Sequence, residues 1–173
     1  MNASGNAVAI VALGANLGAR EETLRAALRK LENSGARVLA ISHFYETEPV
    51  GYANQPDFLN AVAALEIVSE ISPESLMAQL LEIEKKLGRE RSFPNAPRTC
   101  DLDLIFFGTE KRDSATLVLP HPRWRERAFV LVPLAEILSA PAQWNASAPW
   151  REILSETRSA LAVLDCSGVR LVE

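Results

Sequence analysis

Apolar positions along this chain switch between two periods, and each switch marks an element. Ala7 to Leu13 is an unbroken apolar, partly β-branched run, the pattern of a strand buried on both faces. Gly14-Ala15-Asn16-Leu17-Gly18 breaks it, and Leu24, Leu28 and Leu31 then recur at helical spacing, so the opening reads strand, turn, helix. Val38 to Tyr45 and Phe58 to Ile67 predict a second and a third strand. Pro73 to Leu87 predicts a helix with Ser72 as its cap, Pro73 in its first turn and Gly88 at its end. Asp101 to Phe107 predicts a further strand. Leu117 to Leu119, a Pro-His-Pro turn at 120–122, a short basic turn, a helix from Pro149 to Leu161 and an apolar stretch from Val169 to Val172 follow.

The order strand, helix, strand, strand, helix, strand is the βαββαβ plan of a ferredoxin-like α+β fold with a mainly antiparallel sheet. With 173 residues, 48% of them hydrophobic, one domain is expected over 1–173, its core at about 7–135 and C-terminal additions at about 136–173. Ala7 to Leu13 is too short to span a bilayer and has no basic flank, so a cytoplasmic protein without a membrane partner is expected. Cys100 and Cys166 make neither a disulfide framework nor a metal knuckle, and they suit a reduced compartment as small apolar residues.

Charge sharpens the picture. Lys85 to Arg127 holds 10 of the 18 basic residues and 6 of the 22 acidic ones, so that segment is +4 while the chain as a whole is −4. A basic island in an acidic protein fits a compact polyanion such as a nucleoside triphosphate better than a nucleic acid, which demands a broad basic face. Solvated helix faces can produce the same count.

Candidate chemistry concentrates in Pro97-Arg98-Thr99-Cys100-Asp101-Leu102-Asp103. In a strand, Asp101 and Asp103 share one face, roughly 6.5–7 Å apart, while Leu102 points into the core. Two carboxylates so placed need a positive partner, and Mg²⁺ can supply it, taking one or two carboxylates and filling its shell with water and phosphate oxygens. Arg98 offers a planar donor fork to those oxygens. Alone, the pattern reads first as a solvated strand end with an Arg–Asp ion pair, and only its context favours the metal site.

Arg89 and Arg91, two residues apart after Gly88, can reach one ligand or simply complement a helix C-terminus. Phe58 and Asn60 share a strand face, where an aromatic beside an amide suits a flat heterocycle or belongs to an ordinary core. Tyr45 to Asp57, rich in turn formers, reads as a long, mobile, irregular binding loop. His121 is held between two prolines, and Arg127 precedes Phe129 by two. The turn at 14–18 lacks the Gly-Lys-Ser/Thr ending of a P-loop and is read as structural.

Together, Gly14-Ala15-Asn16-Leu17-Gly18, Phe44-Tyr45-Glu46-Thr47, Gln55-Pro56-Asp57-Phe58-Leu59-Asn60, Gly88-Arg89, the block at 97–103 and Pro120-His121-Pro122 resemble the 6-hydroxymethyl-7,8-dihydropterin pyrophosphokinase family from about residue 7 to about 135. The resemblance implies transfer of diphosphate from ATP to the pterin hydroxymethyl group with release of AMP, in folate biosynthesis, by a cytoplasmic monomer. It implies two Mg²⁺ ions on Asp101 and Asp103, with Arg89 and Arg98 joining those carboxylates as catalytic residues. It places Glu84, Arg89, Arg91, Arg98, Leu104, His121 and Arg127 around ATP, and Thr47, Val50, Phe58, Asn60 and Phe129 around the pterin. Asp103 would lie nearest the hydroxymethyl group and is a candidate to accept its proton.

The chain departs from the family pattern in places. Ala15 stands where Ser is common, Cys100 where Leu is common, Leu81 where a polar contact to the nucleoside is expected, and Asn95 where the family carries a Trp on a closing loop. Phe93 and Trp124 are the candidates to replace that Trp. Paired carboxylates with arginines also suit metal-dependent phosphoester hydrolysis, and ferredoxin-like sheets also serve as non-catalytic ligand sensors.

Overall fold

The computed structural model describes residues 6–49, 54–68, 70–89 and 96–172. Its elements run β1 (Ala7–Ala15), α1 (Arg20–Glu32), β2 (Ala36–Ile41), β3 (Tyr45–Thr47), β4 (Phe58–Ile67), α2 (Pro73–Lys86), β5 (Asp101–Phe107), β6 (Arg112–Asp113), β7 (Val118–Leu119), α3 (Ala128–Ser139), α4 (Ala148–Leu161) and β8 (Val169–Leu171). The main sheet has the order β5-β1-β4-β3-β8, with β2 pairing the other stretch of the β4 edge, and every pairing in it is antiparallel. β6 and β7 form a separate two-stranded ribbon.

Because β1 and β4 are apolar at almost every position, both faces of the sheet can bury a core. One face packs Val11, Leu13, Leu102 and Leu104 against Leu24, Leu28 and Leu31 of α1 and Leu76, Leu80 and Ile83 of α2. The other packs Ile10, Val62, Ile105 and Phe106 against Val130, Leu131 and Leu134 of α3 and against Trp124, Trp144 and Trp150. Phe106 meets Trp124 edge to face at 5.0 Å, a favoured aromatic geometry. Trp124 is buried in this layer, which rules it out as a substitute cover for the cleft.

Several elements differ from their sequence expectation, each for a physical reason. The strand expected over Val38 to Tyr45 is split into β2 and β3. At the break Ser42 pairs with Val62 through its side chain, the Val62 N–H donating to Ser42 Oγ at 3.0 Å. Tyr45 to Asp57 is not wholly irregular, since its first three residues form β3; residues 50–53 lie outside the described ones. α3 replaces the open stretch expected after the basic turn. Its segment is apolar on nearly every side and contains Pro133, which hides helical periodicity, but burial against the sheet and α4 holds it. The C-terminal additions cover the second face of the sheet, and β8 extends the sheet itself.

One irregularity positions the site. Val11 pairs with Leu104 and Ile10 with Phe106, leaving Ile105 as the extra residue of a bulge. Its carbonyl accepts the His121 N–H at 2.9 Å, which fastens the Pro-His-Pro segment to β5. The Leu119–Pro120 peptide of that segment is cis.

Candidate active site

α2 and β5 are consecutive regular elements, and their facing ends build the charged half of the site. Gly88, at φ 85°, takes the left-handed conformation that closes α2, and the Arg89 N–H returns to the Glu84 carbonyl at 3.0 Å. This turns Arg89 back over the start of β5. Its Nη1 donates to Asp101 Oδ1 at 2.5 Å and also to Glu84 Oε1. Glu84 is almost fully buried, and its Oε1 accepts the Leu102 N–H at 2.7 Å as well. Burial pushes the Glu84 carboxyl upward, against the hydrogen bond from Leu102 and the charge of Arg89. Burial draws the Arg89 guanidinium down, but Asp101 and Glu84 outweigh it and leave its pKa raised.

Strand alternation sends Leu102 into the α1/α2 core and turns Asp101 and Asp103 to the other face. Arg98 Nη1 donates to Asp101 Oδ2 at 3.0 Å, so both Asp101 oxygens are held by arginines. Arg127 Nη1 donates to Asp103 Oδ2 at 2.8 Å. The same two arginines lie over aromatic rings, Arg98 over Phe58 at 5.4 Å and Arg127 over Phe129 at 5.7 Å. The charged half and the aromatic half of the site are therefore physically joined. His121 Nδ1 accepts the Arg123 N–H at 3.2 Å, and burial lowers the imidazole pKa, with Asp103 opposing and Arg127 and Arg123 assisting.

The turn at 14–18 locks these parts together. Asn16, almost fully buried, donates through Nδ2 to Gln55 Oε1 at 2.9 Å and to the Pro56 carbonyl at 3.1 Å, and its Oδ1 accepts the Arg98 N–H at 2.8 Å. Gly14 forms part of the floor, where a Cβ would sit 3.2 Å from Asn60 Oδ1. Beside it Asn60 Nδ2 donates to Thr47 Oγ1 at 2.8 Å, which leaves a buried amide and hydroxyl facing an aromatic pair.

These groups surround one cleft of about 520 Å³, and among them Glu84, Leu102, Asn16 and His121 stand behind its lining rather than on it. Of the residues singled out in the sequence, Thr47, Phe58, Asn60, Arg89, Arg98, Asp101, Asp103, Arg127 and Phe129 line it. Glu84 lies behind Arg89 rather than on the cleft wall, and the Leu104 side chain is buried on the opposite face of the sheet, so neither side chain faces the cleft. Val50, Arg91, Phe93 and Asn95 lie outside the described residues. Arg123 and Glu126 on one side and Leu164, Asp165, Gly168 and Val169 on another also line the cleft. Arg123 belongs to the basic island and was findable on charge; the C-terminal residues carry no local signal. Among the described residues no three His, Cys, Asp or Glu side chains cluster as metal ligands, and Asp101 and Asp103 stand two apart on one strand on the cleft wall.

Fold and cleft together define a class, an α+β protein with a ferredoxin-like sheet and a ligand cleft that is cationic at one end and aromatic at the other. Residues 10–139 match the family model described as 7,8-dihydro-6-hydroxymethylpterin-pyrophosphokinase (HPPK), and the chain belongs to that family. It is 45% identical over 133 residues to the 2-amino-4-hydroxy-6-hydroxymethyldihydropteridine pyrophosphokinase of Bacillus subtilis (strain 168), covering 76% of this chain and 78% of the relative. The protein of that name from Methylorubrum extorquens is 42% identical over 167 residues, 95% of this chain and 98% of the relative. The mitochondrial folate synthesis bifunctional protein of Arabidopsis thaliana is 38% identical over 144 residues, and this chain spans 26% of its length. Among solved structures, wild-type Plasmodium falciparum HPPK-DHPS with pterin and p-hydroxybenzoate aligns with TM-score 0.57 at 13% identity, covering 94% of this chain and 44% of that one, a likeness of fold.

Proposed function

We propose that this chain transfers the diphosphate of ATP to the hydroxymethyl oxygen of 6-hydroxymethyl-7,8-dihydropterin, releasing AMP. The observation that carries the reading is the joining of two strand-face carboxylates and three arginines to the Thr47, Asn60, Phe58 and Phe129 pocket in one cleft. A flat, polar-edged heterocycle suits the aromatic end, with Asn60 and Thr47 reading its edge. A polyphosphate suits the cationic end. Arg98 Nε, buried without an acceptor, is one donor an anion there would satisfy.

Asp101 and Asp103 fit Mg²⁺, which takes few carboxylates and relies on phosphate oxygens for the rest. Two such ions, when bound, would offset charge on the triphosphate oxygens during transfer. Arg89 and Arg98 would then exchange the Asp101 oxygens for phosphate oxygens, and Arg127 would do the same from Asp103. His121, behind the cleft lining, would add a donor to the nucleotide, while the roles of Arg91 and Val50 rest on the family resemblance alone. Glu84 acts through Arg89, holding that guanidinium at the start of β5, and Leu104 is left with backbone contact alone. The pterin hydroxyl oxygen would attack the β-phosphorus while its proton passes to Asp103. The bond from that phosphorus to the oxygen bridging it to the α-phosphorus would break, and that oxygen and the bonding electrons would leave with AMP. No covalent intermediate on the protein is required, because placement and charge stabilisation supply the acceleration.

Labelled ATP tests this directly. With α-³²P the label should leave in AMP, and with γ-³²P it should travel with the pterin product. Release of γ-label as free phosphate would indicate hydrolysis and contradict the reading.

A further inference from the structure

Outside the matched residues 10–139, the chain turns back at the end of α4 and returns to the cleft. Leu164, Asp165, Gly168 and Val169 line it alongside Thr47, Phe58, Asn60 and Phe129. We propose that residues 164–169 form a wall of the pterin end of the cleft and set how tightly the heterocycle is held, an inference that rests on the diphosphotransfer reading above.

Three fastenings aim this segment at the residues of that end. β8 pairs with β3 so that Val169 stands opposite Thr47, and Thr47 in turn stands opposite Phe58 on β4. Arg170 Nη2 donates to Asp57 Oδ2 at 2.7 Å, on the residue just before Phe58. The Val172 N–H donates to the Phe44 carbonyl at 2.9 Å. The turn itself is closed by the Ser167 N–H donating to Asp165 Oδ1 at 2.9 Å and the Val169 N–H donating to the Cys166 carbonyl at 3.0 Å.

The chemistry of the wall matches a ring and not a polyphosphate. Its lining side chains include no cation, since Arg170 is engaged by Asp57, and Leu164 and Val169 supply apolar surface beside the Phe129 ring end. A segment that merely completed the sheet edge would be indifferent to bulk on its cleft side. Gly168 separates the two roles, because a Cβ built there meets no atom within 4 Å and its backbone is not in the left-handed region.

The test uses the full chain and measures equilibrium binding of 6-hydroxymethylpterin and, separately, of α,β-methylene ATP. Gly168→Trp should weaken pterin binding about tenfold or more while changing nucleotide binding less than about twofold and leaving the unfolding midpoint in place. Arg170→Glu should weaken pterin binding in the same selective way, and Arg170→Lys should restore it. Wild-type pterin affinity in Gly168→Trp, or equal loss of both ligands, would overturn the proposal. A wild-type protein that binds no pterin would overturn the functional reading and this inference with it.

Discussion

Glu84 on α2 and Leu102 on β5 are joined by one hydrogen bond, the Leu102 N–H donating to Glu84 Oε1 at 2.7 Å. The same oxygen accepts from Arg89, so one buried carboxylate fixes both the first residues of β5 and the guanidinium above them. Glu84→Ala should destabilise the fold by about 1–3 kcal/mol, because it orphans a buried N–H and removes a charge partner of Arg89. Glu84→Gln retains an acceptor and should cost less. Chemical denaturation of both variants checks the order.

The same residue has a pH signature. Burial raises the Glu84 carboxyl above its ordinary value of 4.5, so the folded protein holds that proton more tightly than the unfolded chain does. The stability this group contributes is complete below 4.5 and is lost as pH rises through the raised folded value. The unfolding free energy of the wild type minus that of Glu84→Gln should therefore fall as pH rises from 4.5. A difference that is flat or rises with pH would contradict the assignment.

Gly14 makes a second, local prediction. A Cβ there would press on Asn60 Oδ1, at 3.2 Å, and would only touch Asp101 Cβ, at 3.8 Å, and the Phe58 ring, at 3.9 Å. Gly14→Val should displace chiefly the Asn60 amide and weaken pterin binding on the order of tenfold, more than it weakens nucleotide binding. Calorimetric titration with each ligand separates the effects.

His121 should titrate below its ordinary value of 6.5, because burial disfavours the imidazolium more than Asp103 favours it. Saturation with an ATP analogue should move the NMR midpoint upward, since phosphate charge beside the ring stabilises the protonated form. A midpoint unmoved by nucleotide would place His121 away from the phosphates.

Tyr45 fastens β3 to α3, its hydroxyl donating to Glu136 Oε2 at 2.8 Å. Burial, with Glu136 adding to it, pushes the phenol up to about 12. Tyr45→Phe should cost about 1 kcal/mol at neutral pH. The raised phenol contributes stability that is complete below its ordinary value of 10.0 and fades as pH approaches about 12, so the wild-type advantage should shrink across that interval. Thermal unfolding at pH 8 and above pH 10 reads it.

Much of this was legible because the chemistry and the folding signal coincide. Phe58–Ile67 and Asp101–Phe107 are continuous strand patterns, and alternation alone puts Asp101 and Asp103 on one face with Leu102 in the core. α2 announces itself through Ser72, Pro73 and Gly88. What stayed hidden depends on partners distant in the chain. α3 has too little polar surface to show a period, Ser42 interrupts a strand only because Val62 is there to bond, and Asn16 looks like a turn residue until Arg98 and Gln55 arrive beside it. Glu84 and Leu104 could be assigned to a region by resemblance, but only packing shows which side of the strand each side chain takes. The wall at 164–169 has no local signature, since its place in the cleft follows from β8 pairing with β3.

The central claim is tested most directly by product stoichiometry. The protein is incubated with ATP, Mg²⁺ and 6-hydroxymethyl-7,8-dihydropterin, and AMP, ADP and pterin diphosphate are resolved by chromatography beside an Asp101→Ala control. AMP and pterin diphosphate should form in equal amounts, with the rate falling on the order of a thousandfold in the variant. ADP as the nucleotide product, or an Asp101→Ala variant as active as the wild type, would contradict diphosphate transfer at this carboxylate pair.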